Sequence, residues 1–103
     1  MIRGMRSNVY RVDLGHGPKP WVVVSNDSRN RNLDTVLAAR IATTTKNGHL
    51  PTVVPLNAAD PLDGVVLVDD IVQLCHAELT APLGGLSLPT MREISAALRI
   101  AVP

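Results

Sequence analysis

The first half of the chain carries a set of side chains suited to holding phosphate: His16, Lys19, Arg29, Arg31, Arg40 and the run Thr43-Thr44-Thr45. Arg and Lys supply positive charge with several N–H donors, and Thr supplies a neutral hydroxyl donor. Such groups meet the oxygens of a nucleic-acid backbone. They also serve reactions at phosphorus, where negative charge builds on the oxygens in the transition state.

Other reactive residue types are placed less favourably. His16, His49 and His76 are far apart, and no HxxH, HxxxH or CxxC spacing occurs, so neither a metal site nor a cofactor is expected. Asp69 and Asp70 are neighbours, and on an extended segment their carboxylates point to opposite faces. The same geometry separates Cys75 from His76 and argues against a nucleophilic dyad. Cys75 therefore reads as a small core residue. Gly84-Gly85 reads as a bend within a strand, because no phosphate-cradling glycine motif surrounds it.

The scaffold that must position the cationic cluster is small. With 103 residues the chain has room for one domain, expected over 1–103. Its core must come from 13 Val, 13 Leu, 10 Ala and 5 Ile, since Trp21 and Tyr10 are the only aromatics. This composition leans toward strands and disfavours an RNA-recognition module that stacks bases on several sheet aromatics. A single Cys cannot form an intramolecular disulfide. Met1 to Ser7 contain no apolar signal region, and no aliphatic run approaches the length of a membrane span. A soluble cytoplasmic protein that does not engage a membrane is expected. The net charge is only +1, yet residues 1–50 hold eight Lys/Arg against three Asp/Glu, whereas residues 51–103 hold two against six. Such asymmetry can give one cationic face.

Period-two alternation predicts a strand over Asn8–Leu14. Gly15 to Pro20 reads as a loop and Trp21–Ser25 as a second strand. Asn26–Asp34 reads as an exposed loop with one helical turn, and Thr35–Thr43 as a third strand. Lys46-Asn47-Gly48-His49 has the composition of a tight hairpin turn. Thr52–Leu56, flanked by Pro51 and Pro55, reads as an edge strand. Val65–Val68 and Ile71–Cys75 read as two strands broken by Asp69-Asp70. A helical turn over His76–Leu79 and a strand over Ala81–Leu86 follow. Ser87 is placed to cap a helix over Pro89–Ala101, with Met91, Ile94, Ala97, Leu98 and Ala101 on one face. The expected fold is mainly β: a small curled sheet or barrel of five to seven strands closed by a C-terminal α-helix.

VYRVDL, KPWVVVSND, ARIATTT, HLPTVVPL, VLVDDIVQLCHAEL, LGGLS and TMREISAALRIA occur in this order across residues 8–102. Together they resemble the MazF/PemK-like toxins of type II toxin–antitoxin modules. The resemblance implies an SH3-like β-barrel with a C-terminal helix, a homodimer, and a metal-independent endoribonuclease that cuts single-stranded RNA at short sequence motifs and so blocks translation. It implies a cognate antitoxin whose acidic, partly disordered tail covers the RNA groove. Relatives carry Arg before the Pro at the loop-to-strand junction, and Lys19 matches that position; its expected role is charge stabilisation. The family's catalytic Thr lies at the end of the third strand. Counting back from Leu50-Pro51-Thr52 points to Ala42, whereas matching the Thr run points to Thr43 or Thr44; Thr43 is taken as catalytic. His16, Arg29, Arg31 and Thr44 are assigned to RNA binding. Many relatives carry Arg where this chain has Val72, and His16 or Arg31 could replace that charge. The general base is left open, with His16 a candidate. Two rival readings are a gyrase poison of the CcdB type on the same fold and a non-catalytic nucleic-acid-binding barrel. The former acts through a C-terminal Trp, and Ile100-Ala101-Val102-Pro103 has none.

Overall fold

In the computed structural model, which describes residues 2–43 and 50–102, the chain order is β1 (Asn8–Asp13), β2 (Pro18–Val23), α1 (Asp27–Asn32), β3 (Thr35–Ala42), β4 (Val53–Pro55), β5 (Val65–Cys75), a 3₁₀ turn (His76–Glu78), β6 (Pro82–Gly85) and α2 (Leu88–Ala101). The strands form one antiparallel sheet in the order β4-β5-β3-β2-β1-β6. It curls into a half-barrel, with α2 against β4 and β5. The expected hairpin turn at Lys46–His49 lies outside the described residues, as does Thr44.

Alternation along the strands sorts the apolar side chains into two cores. Val9, Val22, Ala39, Ile41, Val66 and Val68 pack with Met91, Ile94 and Ala97 of α2 on one face. Tyr10, Val12, Trp21, Val23, Val36, Ala38 and Leu74 pack with Leu79 on the other. Valine dominates because its branched side chain fills a pleated, buried surface without aromatic bulk. The helix begins where the sequence places it: Ser87 Oγ accepts the Thr90 N–H, and Pro89 sits in the first turn, where its missing N–H costs nothing.

Four expectations need correction. Pro18 to Pro20 belong to β2, not to a loop. Pro20 pairs with Arg11, whose N–H points the other way, to the Ala81 carbonyl at 2.9 Å. The ladder between β1 and β2 therefore asks no N–H of Pro20, and Pro18 has the same phase. Asn26–Asp34 contains a six-residue helix, begun by Asn26 Oδ1 accepting the Arg29 N–H at 2.9 Å. Next, β5 is one strand through Asp69-Asp70. Its pairing with β3 jumps from Ala39↔Ile71 to Arg40↔Leu67, so the two aspartates sit in a bulge that bends the strand. Finally, Cys75 is exposed, because alternation along β5 turns Leu74 inward and Cys75 out.

At the start of β5, Gly64 adopts φ +134°, and a Cβ there would run into the Ala42 carbonyl oxygen. Only glycine lets the chain enter β5 this close to the end of β3.

Candidate active site

Between β1 and β2 the chain turns through Leu14–Gly17, held where Asp13 Oδ1 accepts the Gly15 N–H at 2.8 Å. This turn brings His16 to the rim of a cavity of about 370 Å³ on the Trp21 face of the sheet. Strand geometry supplies the other walls. Lys19 and Trp21 are two residues apart on β2, so both point to that face. Lys19 pairs with Val12 of β1 and Trp21 with Arg40 of β3. Val72 and Asp70 come from the bulged β5, and all of these residues line the cavity.

The cavity thus combines an apolar floor of Val12, Trp21 and Val72 with a rim of three basic residues and one carboxylate. Arg40 Nη1 lies 3.9 Å from Asp70 Oδ2, and both side chains are more than 40% exposed, at 41% and 44%. That is a stretched, solvated ion pair of small energetic value. Trp21 is only 5% exposed. Its indole Nε1–H and the Arg40 Nε–H are both buried and have no hydrogen-bond partner among the described residues. Unpaired buried donors of this kind are uncommon, because each forfeits its hydration without replacement.

The structure brings Lys19 and His16 together and leaves other expected site residues elsewhere. Thr43 follows the last residue of β3; it is exposed and is not among the residues lining the cavity. Arg29 lies on α1, where its guanidinium donates to the Thr35 carbonyl at 2.9 Å and to Thr35 Oγ1 at 3.2 Å. It ties α1 to the start of β3 and is half-buried there. Arg31 is exposed on the same helix, and its carbonyl accepts from Arg3. From Thr35 to Arg40 is five residues of strand, roughly 17 Å, so α1 stands away from the cavity.

Trp21, Arg40 and Asp70 were missing from the site expected from sequence, although Arg40 belongs to the basic cluster. Phase on the strands was the available signal. Position 21 shares a face with position 19, but only the register Trp21↔Arg40 shows that position 40 joins them.

A larger groove of about 700 Å³ runs beside α2 and is lined by Arg6, Leu86, Leu88, Met91, Arg92 and Arg99, among others. Leu88 is 63% exposed. Arg6 is already engaged, donating to the Val24 carbonyl at 2.6 Å and to Ser95 Oγ at 3.1 Å.

Comparison with known proteins places this geometry among relatives. Residues 5–102 match the family described as the PemK-like, MazF-like toxin of type II toxin–antitoxin system. The chain is 44% identical over 98 residues to endoribonuclease MazF4 of Mycobacterium tuberculosis, covering 95% of this chain and 91% of that one. Among solved structures it is similar to an endoribonuclease in complex with its cognate antitoxin from a mycobacterial species. The two are 44% identical with a TM-score of 0.90, over 96% of each chain. A second mycobacterial endoribonuclease structure is 41% identical, also with a TM-score of 0.90, over 99% of this chain and 93% of that one.

Proposed function

Because the chain belongs to the family of PemK-like, MazF-like toxins of type II toxin–antitoxin systems, we propose that it is the toxin of such a pair, an endoribonuclease that cleaves single-stranded RNA at short sequence motifs without a metal ion. The observation that carries the reading is the convergence of His16, Lys19 and Arg40 on one cavity. Three basic side chains at one mouth attract the RNA backbone and oppose charge growing on phosphorus.

The chemistry is an in-line displacement. A ribose 2′-oxygen attacks the adjacent phosphorus as its proton departs. The bond from phosphorus to the 5′-oxygen breaks, and that oxygen takes up a proton. The products are a 2′,3′-cyclic phosphate and a free 5′-hydroxyl. Lys19 is exposed on β2, and its ammonium is the group assigned to the charge on the phosphorane. That role is electrostatic stabilisation of the transition state. His16, on the same rim, is the candidate base. Thr43 is assigned a hydrogen bond to a phosphate oxygen, with Thr44 the alternative register. Arg31 and Thr44 remain assigned to flanking RNA, whereas Arg29 is engaged by Thr35 and enters the site least readily.

The reading extends to the whole chain 1–103 as one toxin domain, acting in the cytoplasm as a homodimer. Among the described residues no helix is long and apolar enough to cross a membrane. The partner is an antitoxin with an acidic, partly apolar and partly disordered tail. The groove beside α2 supports this partner, since exposed leucine and arginine there suit a peptide of that composition.

The test is incubation of the protein with a long single-stranded RNA in EDTA, with mapping of the product ends. Discrete cuts leaving cyclic phosphates are expected. An intact RNA would reject the nuclease reading.

A further inference from the structure

The cavity that holds Lys19 carries more polar groups than a phosphate site needs, and of both kinds. Trp21 Nε1–H and Arg40 Nε–H are buried donors with no partner among the described residues. Asp70 presents a carboxylate to the same space, with the Arg40 guanidinium 3.9 Å away. Below the basic rim that faces the phosphate, the apolar walls from Val12 and Val72 leave space that a charged group would fill only at a desolvation cost. A flat heterocycle fits the same walls and can satisfy groups of both signs.

We propose that this cavity reads one nucleobase of the RNA, and that guanine is the base it prefers. The inference rests on the nuclease reading above and adds the residues that set its sequence preference. Single-stranded RNA is recognised by hydrogen bonds to the edges of splayed bases. Guanine places two acceptors, O6 and N7, side by side on one edge, matching the two unpaired N–H donors of Trp21 and Arg40. Its N1–H and exocyclic amine form an adjacent pair of donors, which a carboxylate accepts in a bidentate manner. Cytosine lacks the donor pair, and adenine and uracil lack both pairs. Asp70 also carries discrimination by repulsion: a base that turns an acceptor toward it leaves two acceptors facing each other. The indole is buried, so Trp21 contributes an edge donor and not a stacking platform.

Trp21 is the only tryptophan in the chain, so its fluorescence reports occupancy of the cavity independently of cleavage. The experiment titrates the protein with the four nucleoside 5′-monophosphates, using wild type, Arg40→Lys and Asp70→Asn, with a melting curve for each. Guanosine monophosphate is expected to perturb Trp21 at concentrations roughly 5- to 100-fold below the other three, the range for one bidentate base contact. Arg40→Lys keeps the charge and loses the Nε donor; Asp70→Asn keeps the shape and loses the bidentate acceptor. Both are expected to remove the preference while melting as wild type does. Equal response to all four nucleotides overturns the inference, as does a guanine preference that survives both substitutions. An unfolded variant does not decide the matter, because the wild-type titration alone can reject it. Cleavage of RNA in EDTA by a wild type without base preference would sink this inference and leave the nuclease reading standing. Selective guanine binding without cleavage would do the reverse.

Discussion

The Gly4 N–H donates to Nδ1 of His76 across 2.9 Å, joining the N-terminal arm to the end of β5. With Nδ1 accepting, the ring proton lies on Nε2, which is 3.0 Å from both the Asn30 and the Leu33 carbonyls. One imidazole, 2% exposed, thereby fastens the arm, α1 and the 3₁₀ turn together. Gly4 is required by this approach: a Cβ there would lie 2.8 Å from both Leu79 Cδ1 and Val36 Cγ1.

The first prediction concerns this clasp. His76→Ala leaves the buried Gly4 N–H without its acceptor, leaves the Asn30 and Leu33 carbonyls to Arg3 alone, and opens a cavity. A loss of about 3 kcal/mol is expected, or a fall in Tm of more than about 10 °C for a domain of this size. Thermal melting followed by circular dichroism measures it. A Tm within a few degrees of wild type would show that the clasp contributes little.

Lys19 is exposed, so its truncation separates rate from stability. Lys19→Ala is expected to slow RNA cleavage about 10²–10³-fold at an unchanged Tm. Lys19→Arg should retain much of the rate, since charge and donors are kept. Thr43→Val is expected to lower the rate before it lowers stability. Thr44→Val is the register control; if it is the damaging change, the catalytic hydroxyl is one residue further on. Time courses on one defined RNA, with a melt for each variant, compare all four.

Asp60 holds the start of α2. Its carboxylate accepts the Ser87 N–H at 2.7 Å, the Asn57 N–H at 2.9 Å and the Thr90 hydroxyl at 2.7 Å. Burial pushes its pKa up, but the hydrogen bonds from Ser87, Asn57 and Thr90 together outweigh this and hold it below 3.8. A carboxyl lowered in the folded state stabilises the fold above its unfolded pKa, and that stability is lost as the pH falls through the folded value. Tm is therefore expected to be flat in this respect above about pH 5 and to decline below about pH 4. Asp60→Asn should cost about 1–2 kcal/mol at neutral pH and flatten the acid decline. An equally steep decline in the variant would assign the effect to other groups.

Binding of an acidic antitoxin tail should weaken as salt rises, because exposed cationic groups attract it through a screened field. Between low and high salt the affinity is expected to drop by roughly an order of magnitude. Calorimetry across a salt series, with Arg92→Ala and Arg99→Ala beside wild type, reads this out. Affinity that does not change with salt, or with either substitution, would remove the groove beside α2 from the interaction.

Much of this protein is written in short stretches of its sequence, because the forces concerned act locally. Alternation of Val9, Tyr10 and Val12 with polar neighbours places a strand, and Ser87 with Pro89 starts a helix, through contacts within a few residues. The run from KPWVVVSND to the C-terminal helix likewise marks the family. The tertiary structure decided what those elements share. Arg40 enters the Lys19 cavity because β2 and β3 pair in the register Trp21↔Arg40, and Asp70 meets it because β5 bulges there. Arg29 looks like a binding residue in sequence and is drawn instead to Thr35. Cys75 looks like core and is turned outward by the phase of β5. Register and bulges are set by burying two faces of a curled sheet at once, a condition that involves residues from fifteen to forty positions apart and that no local pattern contains.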